Sequence, residues 1–159
     1  MSTIAFHTPD RVVMQQASDF DGTFEFAPLE KGYAVTIWNS LRRVLLSSLE
    51  GYAITTLRIH GVPHEFSTVS GVYEDVTEIV LNLKQIRFKP LGEDDEEKIF
   101  ISISGQDSFS GVDIAKASSA FQILNPEHVI CTMEPSVKLE IELTVQKGRG
   151  YVPAEENKP

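Results

Sequence analysis

PLEKGYAVTIWNSLRRVLLSS, residues 28–48, reads as a turn followed by an amphipathic helix carrying two adjacent arginines. Thr36 is the expected N-cap, and Gly51 marks the expected C-terminal end. At about 100° per residue, Ile37, Trp38, Leu41, Val44, Leu45 and Leu49 fall within roughly 140° of one another, a broad core-facing stripe. Arg43 falls on the opposite side, beside Asn39 one turn before it and Leu46 one turn after it. A solvated face does not ordinarily carry that leucine. On spacing alone the segment fits either an ordinary helix with two surface arginines or a helix with two working faces, one for its own core and one for a partner. Ile37, Leu41, Val44 and Leu45 serve its own core, while Arg43, Asn39 and Leu46 are candidates for a partner. Arg42 flanks the apolar stripe and suits either surface.

Working outward from this helix, the remaining chain is mostly strands. Phe24 and Phe26 alternate with polar neighbours, as do Leu57 and Ile59 after the helix. Ile99, Ile101 and Ile103 line one face of a strand. Val137, Leu139, Ile141, Leu143 and Val145 alternate with Lys138, Glu140, Glu142 and Thr144, which makes a half-buried strand. A second helix is expected over about Glu74 to Lys84, with Glu74 and Asp75 in its first turn and Lys84 in its last, matching the helix dipole. Its buried stripe is Val76, Ile79, Val80 and Leu83. Between that helix and the isoleucine strand, GEDDEEK (92–98) reads as a solvated loop. Two main helices among mostly antiparallel strands, without regular alternation, define an α+β class. No period of 20–50 residues recurs, which excludes solenoids and propellers.

Bulk properties narrow the function. With 159 residues and 42% hydrophobic content, the chain holds a real core. No apolar run approaches the roughly 18 residues of a membrane span, and no basic stretch leads into a hydrophobic one at the N-terminus. The lone Cys131 cannot form an internal disulfide, which suits a reducing cytoplasm, and the apolar string HVICTM around it indicates buried packing. A net charge of −9 argues against direct nucleic-acid binding, since the only basic clusters are Arg42 with Arg43 and Lys147 with Arg149.

Candidate reaction centres are weak. His60 and His64 have a zinc-like spacing, but Gly61 and Pro63 between them make a turn, and no third ligand is near in sequence. KGRG (147–150) lacks the spacing of a phosphate-binding loop and reads as a tight turn presenting Arg149. Asp19 and Asp21 in DFDGT are explained by a turn before the Phe24 strand. No Ser-His-Asp set or Cys-His pair can be assembled. No catalytic residue, metal ligand or cofactor is therefore assigned. A metal-dependent hydrolase built on His60 and His64, and a stand-alone nucleic-acid-binding domain, are the rival readings.

The wording of the first helix goes further than its periodicity. Gly32, Thr36, Asn39, Leu41, Arg42 and Arg43 reproduce a G-x-x-x-T-x-x-N-x-L-R-R pattern. With it come GVPHEFSTVSGVYEDVTEIVLNLK (61–84), NPEHVIC (125–131) and KGRGYVPAEENK (147–158) in matching order. In these blocks the chain resembles the N-terminal domain of the alpha subunit of bacterial DNA-directed RNA polymerase. One departure is AVTIWN (34–39), with Trp38 where that family usually carries a glycine.

The resemblance implies a dimerisation module split by an inserted subdomain. Residues 1–50 correspond to the first part of the module and residues 51–159 to the insert. The second part of the module and the DNA-binding C-terminal domain are then expected beyond this sequence. It also implies a non-catalytic, cytoplasmic scaffold in a nucleotidyltransferase complex, which dimerises with a second alpha subunit and recruits the beta and beta-prime subunits. Lys84 and Arg149 become further candidates for contacts made by the insert. With the second part of the module lying elsewhere, the stripe of the first helix is expected to be left open or to be covered by another chain.

Overall fold

A computed structural model describes residue 9, residues 11–18 and residues 21–157. The chain divides into two compact units, one ending at Leu49 and one beginning at Glu50. The fold is α+β, with three helices and antiparallel strands among the described residues.

In the first unit, β1 (Arg11–Ala17) and β2 (Gly22–Ala27) form an antiparallel hairpin, registered from Arg11 opposite Ala27 to Ala17 opposite Gly22. Its turn is closed by Ser18, whose hydroxyl accepts from Asp21 N at 3.0 Å, in keeping with the turn read at DFDGT; Asp19 lies outside the described residues. Helix α1 (Tyr33–Ser47) starts earlier than the sequence suggests. Its N-cap is Gly32 at φ +86°, a left-handed conformation that glycine adopts without penalty, so Thr36 lies inside the helix. The helix ends at Ser47, and Gly51 belongs to the next strand.

The second unit is built on a three-stranded antiparallel sheet. Its order is β3 (Glu50–Ile59), β9 (Lys138–Arg149), β5 (Glu96–Ser104), with β9 in the centre. Ile99, Ile101 and Ile103 sit opposite Leu143, Ile141 and Leu139, so the two alternating patterns mesh on one face. All six are buried. Helix α2 (Val76–Leu83) adds Ile79 and Leu83 to the core, and α3 (Gly111–Ala117) adds Ile114. Two short ladders complete it: β4 (Phe88–Pro90) with β7 (Phe121–Ile123), and β6 (Ser108–Ser110) with β8 (Val129–Thr132).

Several local expectations shift. In α2, Asp75 is the N-cap and Glu74 lies outside the helix. Asp75 accepts from Glu78 N at 2.7 Å while Glu78 reaches back to Asp75 N, a reciprocal capping box. Glu74 instead accepts from Thr132 N at 2.7 Å and from Thr132 Oγ1 at 3.0 Å, pinning β8. Helix α3 is a third helix beyond the two expected, only seven residues long and burying just Gly111 and Ile114. The charge run is loop only in its first half, since β5 begins at Glu96. KGRG is not a tight turn, because β9 runs on through Arg149 and only Gly150, at φ +70°, bends.

Candidate assembly surface

Helix α1 buries none of its side chains, and every residue in it except the half-buried Ile37 is exposed. Its apolar stripe lies open, with Trp38 at 67% and Leu45 at 59% exposure beside Leu41 and Val44. The described strands of the first unit form a two-stranded hairpin, and Val12, Met14 and Phe24 on it are exposed as well. Exposed apolar side chains in this number make α1 a candidate for contact with a partner.

The opposite side of α1 carries Asn39, Arg43 and Leu46, with Arg42 at its border with the apolar stripe, all exposed. Val35 joins them, lying about three turns before Leu46 and so on the same line. Leu46 and Val35 are 68% and 65% exposed. Val35 is a residue the sequence reading missed, although its helical phase placed it there. Guanidinium groups between two aliphatic side chains suit recognition of a surface that is both apolar and acidic.

The remaining candidates belong to the second unit. Lys84 is the exposed C-cap of α2, and its carbonyl accepts from the Arg87 guanidinium at 3.1 Å. Arg149 is exposed at the end of β9, opposite Glu50 on β3. The segment after it exposes Tyr151 at 87%. Phe66 and Tyr73, also strongly exposed, flank the approach to α2. Both stand among polar residues, in HEFST and GVYED, a signal that an aromatic side chain is not serving a core.

Local structure accounts for His64 and Cys131. His60 and His64 lie in the turn region after β3, and His64 Nδ1 shares a hydrogen bond with Ser67 Oγ at 3.1 Å. Among the described residues, no three His, Cys, Asp or Glu side chains group closely enough to hold a metal ion. Burial in the core, reinforced by the nearby Glu74 charge, pushes the Cys131 thiol up to about 12, where it is no nucleophile. A depression on the outer face of the sheet is lined by Arg58, His60, Phe100, Glu140 and Glu142. There Glu140 is tied to Lys138 at 2.6 Å, and this contact holds its carboxyl below the usual value. No helix among the described residues is long and apolar enough to cross a membrane.

Comparison with known proteins adds to this geometry. The RNA polymerase Rpb3/RpoA insert domain family matches residues 57–159. The chain is similar to the DNA-directed RNA polymerase subunit alpha of Cytophaga hutchinsonii, with 62% identity over 100% of this chain and 48% of that protein. The corresponding subunit of Flavobacterium psychrophilum is 58% identical over 99% of this chain and 48% of its own length. That of Salinibacter ruber is 46% identical over the same shares. The chain thus spans about half the length of these curated relatives.

Proposed function

The chain belongs to the RNA polymerase Rpb3/RpoA insert domain family, and from that membership we propose that it acts as a non-catalytic assembly scaffold of bacterial DNA-directed RNA polymerase. In this reading it dimerises with a second alpha subunit, recruits the beta and beta-prime subunits, and works in the cytoplasm. Residues up to about 50 are the first part of the dimerisation module, and those from 51 onward are the insert.

The observation that carries the reading is the exposure of both faces of α1. Leu41, Val44 and Leu45, with Ile37 beside them, form the apolar face assigned to the dimer module. Arg43, with Asn39 and Leu46, is assigned to beta, while Arg42 borders both faces. Lys84 and Arg149 are assigned to contacts made by the insert.

The test transplants this segment into a full-length alpha subunit from a relative. Arg43→Ala should leave thermal stability within about 0.5 kcal/mol, because the side chain is exposed. It should weaken co-purification of beta by about 2 kcal/mol or more, the cost of truncating a central interface arginine. Leu45→Ala should do the reverse, loosening the dimer while sparing beta contacts in whatever dimer remains. An Arg43→Ala protein that melts early yet recruits beta normally would show that the two faces are assigned backwards.

A further inference from the structure

The end of the β3–β9 ladder contains a feature that the assembly reading does not use. Gly51 and Gly148 are directly opposed across the two strands. Neither has a positive φ. A Cβ built on either one meets nothing within 4 Å. Glycine is the costliest ordinary residue to hold in a strand, and within this chain neither backbone geometry nor packing requires it at either position.

The row sits where support from the rest of the sheet stops. The pairing of β5 with β9 begins at Glu96 opposite Gln146, and one more bond, from Lys147 N to Asp95 O at 2.8 Å, extends it. One row further in than the glycines, Tyr52 is anchored by its ring against Phe121, with centroids 5.0 Å apart. Beyond the glycines only the Glu50–Arg149 pair remains. A single side chain bridges the glycine row. Lys147 Nζ lies 3.0 Å from Glu50 Oε2, on the far side of the row, and 3.7 Å from Asp95 Oδ1.

We propose that the Gly51–Gly148 row is a bending point built into the root of the sheet, and that Lys147 is the brace that limits it. Bending there redirects the two exits of the chain from this sheet, toward Leu49 on one strand and toward Tyr151 on the other. The brace is an exposed ion pair, so its hold weakens as salt rises.

The test is residue-resolved amide exchange and NMR relaxation on this chain, with thermal melts alongside. In the wild type, residues 50, 51, 148 and 149 should show lower order parameters and faster exchange than residues 56 and 144. The Gly51→Val, Gly148→Val double variant should slow exchange of the hydrogen-bonded ribbon amides by about tenfold, as expected when two glycines give way to a β-branched cross-strand pair. Its thermal midpoint should not fall. Lys147→Met, or raised salt in the wild type, should quicken exchange in the same four residues and leave rows 56 and 144 unchanged. Unaltered ribbon dynamics in the double valine variant would overturn the proposal. So would a lowered midpoint in that variant, which would mean that packing demands the glycines. Ribbon dynamics insensitive to both Lys147→Met and salt would remove the brace.

Discussion

Glu97 sits within a run of acidic residues, yet its carboxylate is heavily bonded. It accepts from Ser118 Oγ at 2.6 Å, Ser119 N at 2.7 Å, Ser119 Oγ at 2.8 Å and Ala120 N at 3.3 Å, and so fixes the turn between α3 and β7. Burial pushes this carboxyl up, but the four donors outweigh it and hold the group below its ordinary 4.5. A folded-state value below the unfolded one contributes stability that is present above the ordinary value and is lost as pH falls through the folded one. Glu97→Gln should therefore lower the melting temperature at neutral pH, and the gap from wild type should close as the solution is acidified below about 4.5. Thermal melts of both proteins across that range check it, and a gap independent of pH would mean that the charge plays no part. None of this was legible in the sequence, because the partners lie more than 20 residues away and a charge run carries no information about them. Glu74, bound to Thr132 instead of lying in a helix, escaped for the same reason. Cys131 was legible, because its apolar neighbours alone imply burial.

Among the elements, the two main helices draw their stability from different sources. Helix α2 has only eight residues, too few to persist alone, but it is closed by the Asp75–Glu78 box and buries Val76, Ile79 and Leu83. Asp75→Ala removes one half of that box and should cost about 1 kcal/mol, within a range of 0.5 to 2. Denaturant unfolding followed on the second unit measures it; a loss below about 0.3 kcal/mol would mean that packing alone holds the helix. Helix α1 has no side-chain cap and no acidic residue in its first turn. Its start differs from the expected one because Thr36 has the side chain of a conventional cap, whereas the actual cap is a left-handed glycine with no polar group to recognise. The strands β5 and β9 were read correctly, since their period of two reflects one buried face and needs no knowledge of the partner strand. Helix α3 was passed over although a local signal was present: Asp113 accepts from Ser110 N at 3.1 Å, the return half of a box written as S-x-x-D. Helical phase alone separates the two faces of α1 in the sequence, and both are exposed. Phe66 and Tyr73 carry a local signal in their polar neighbours, whereas Tyr151 carries none, because its exposure shows only once the core around it is known.

At the scale of the whole molecule, the buried hydrophobic side chains among the described residues run from Ile59 to Val145, all within the second unit. The first unit contributes none, while Trp38, Val44, Leu45, Leu46 and Leu49 are all more than half exposed. Local stability follows buried apolar contact, so the two units should open independently. A 15-residue helix without a covered face is marginal in water. In dilute solution, amides in β5, β9 and α2 should therefore exchange more slowly than those in α1 by roughly a hundredfold or more. Concentration then tests what covers the open stripe. If a second copy of the chain seats on α1, mass action should raise the protection of α1 as concentration rises, while protection in β5 and β9 stays fixed. Leu45→Ala should blunt that rise, because it removes apolar area from the face being covered. Exchange that is equally slow in both units at every concentration would mean that α1 is stable without a partner, and would remove its exposed stripe as support for an assembly surface.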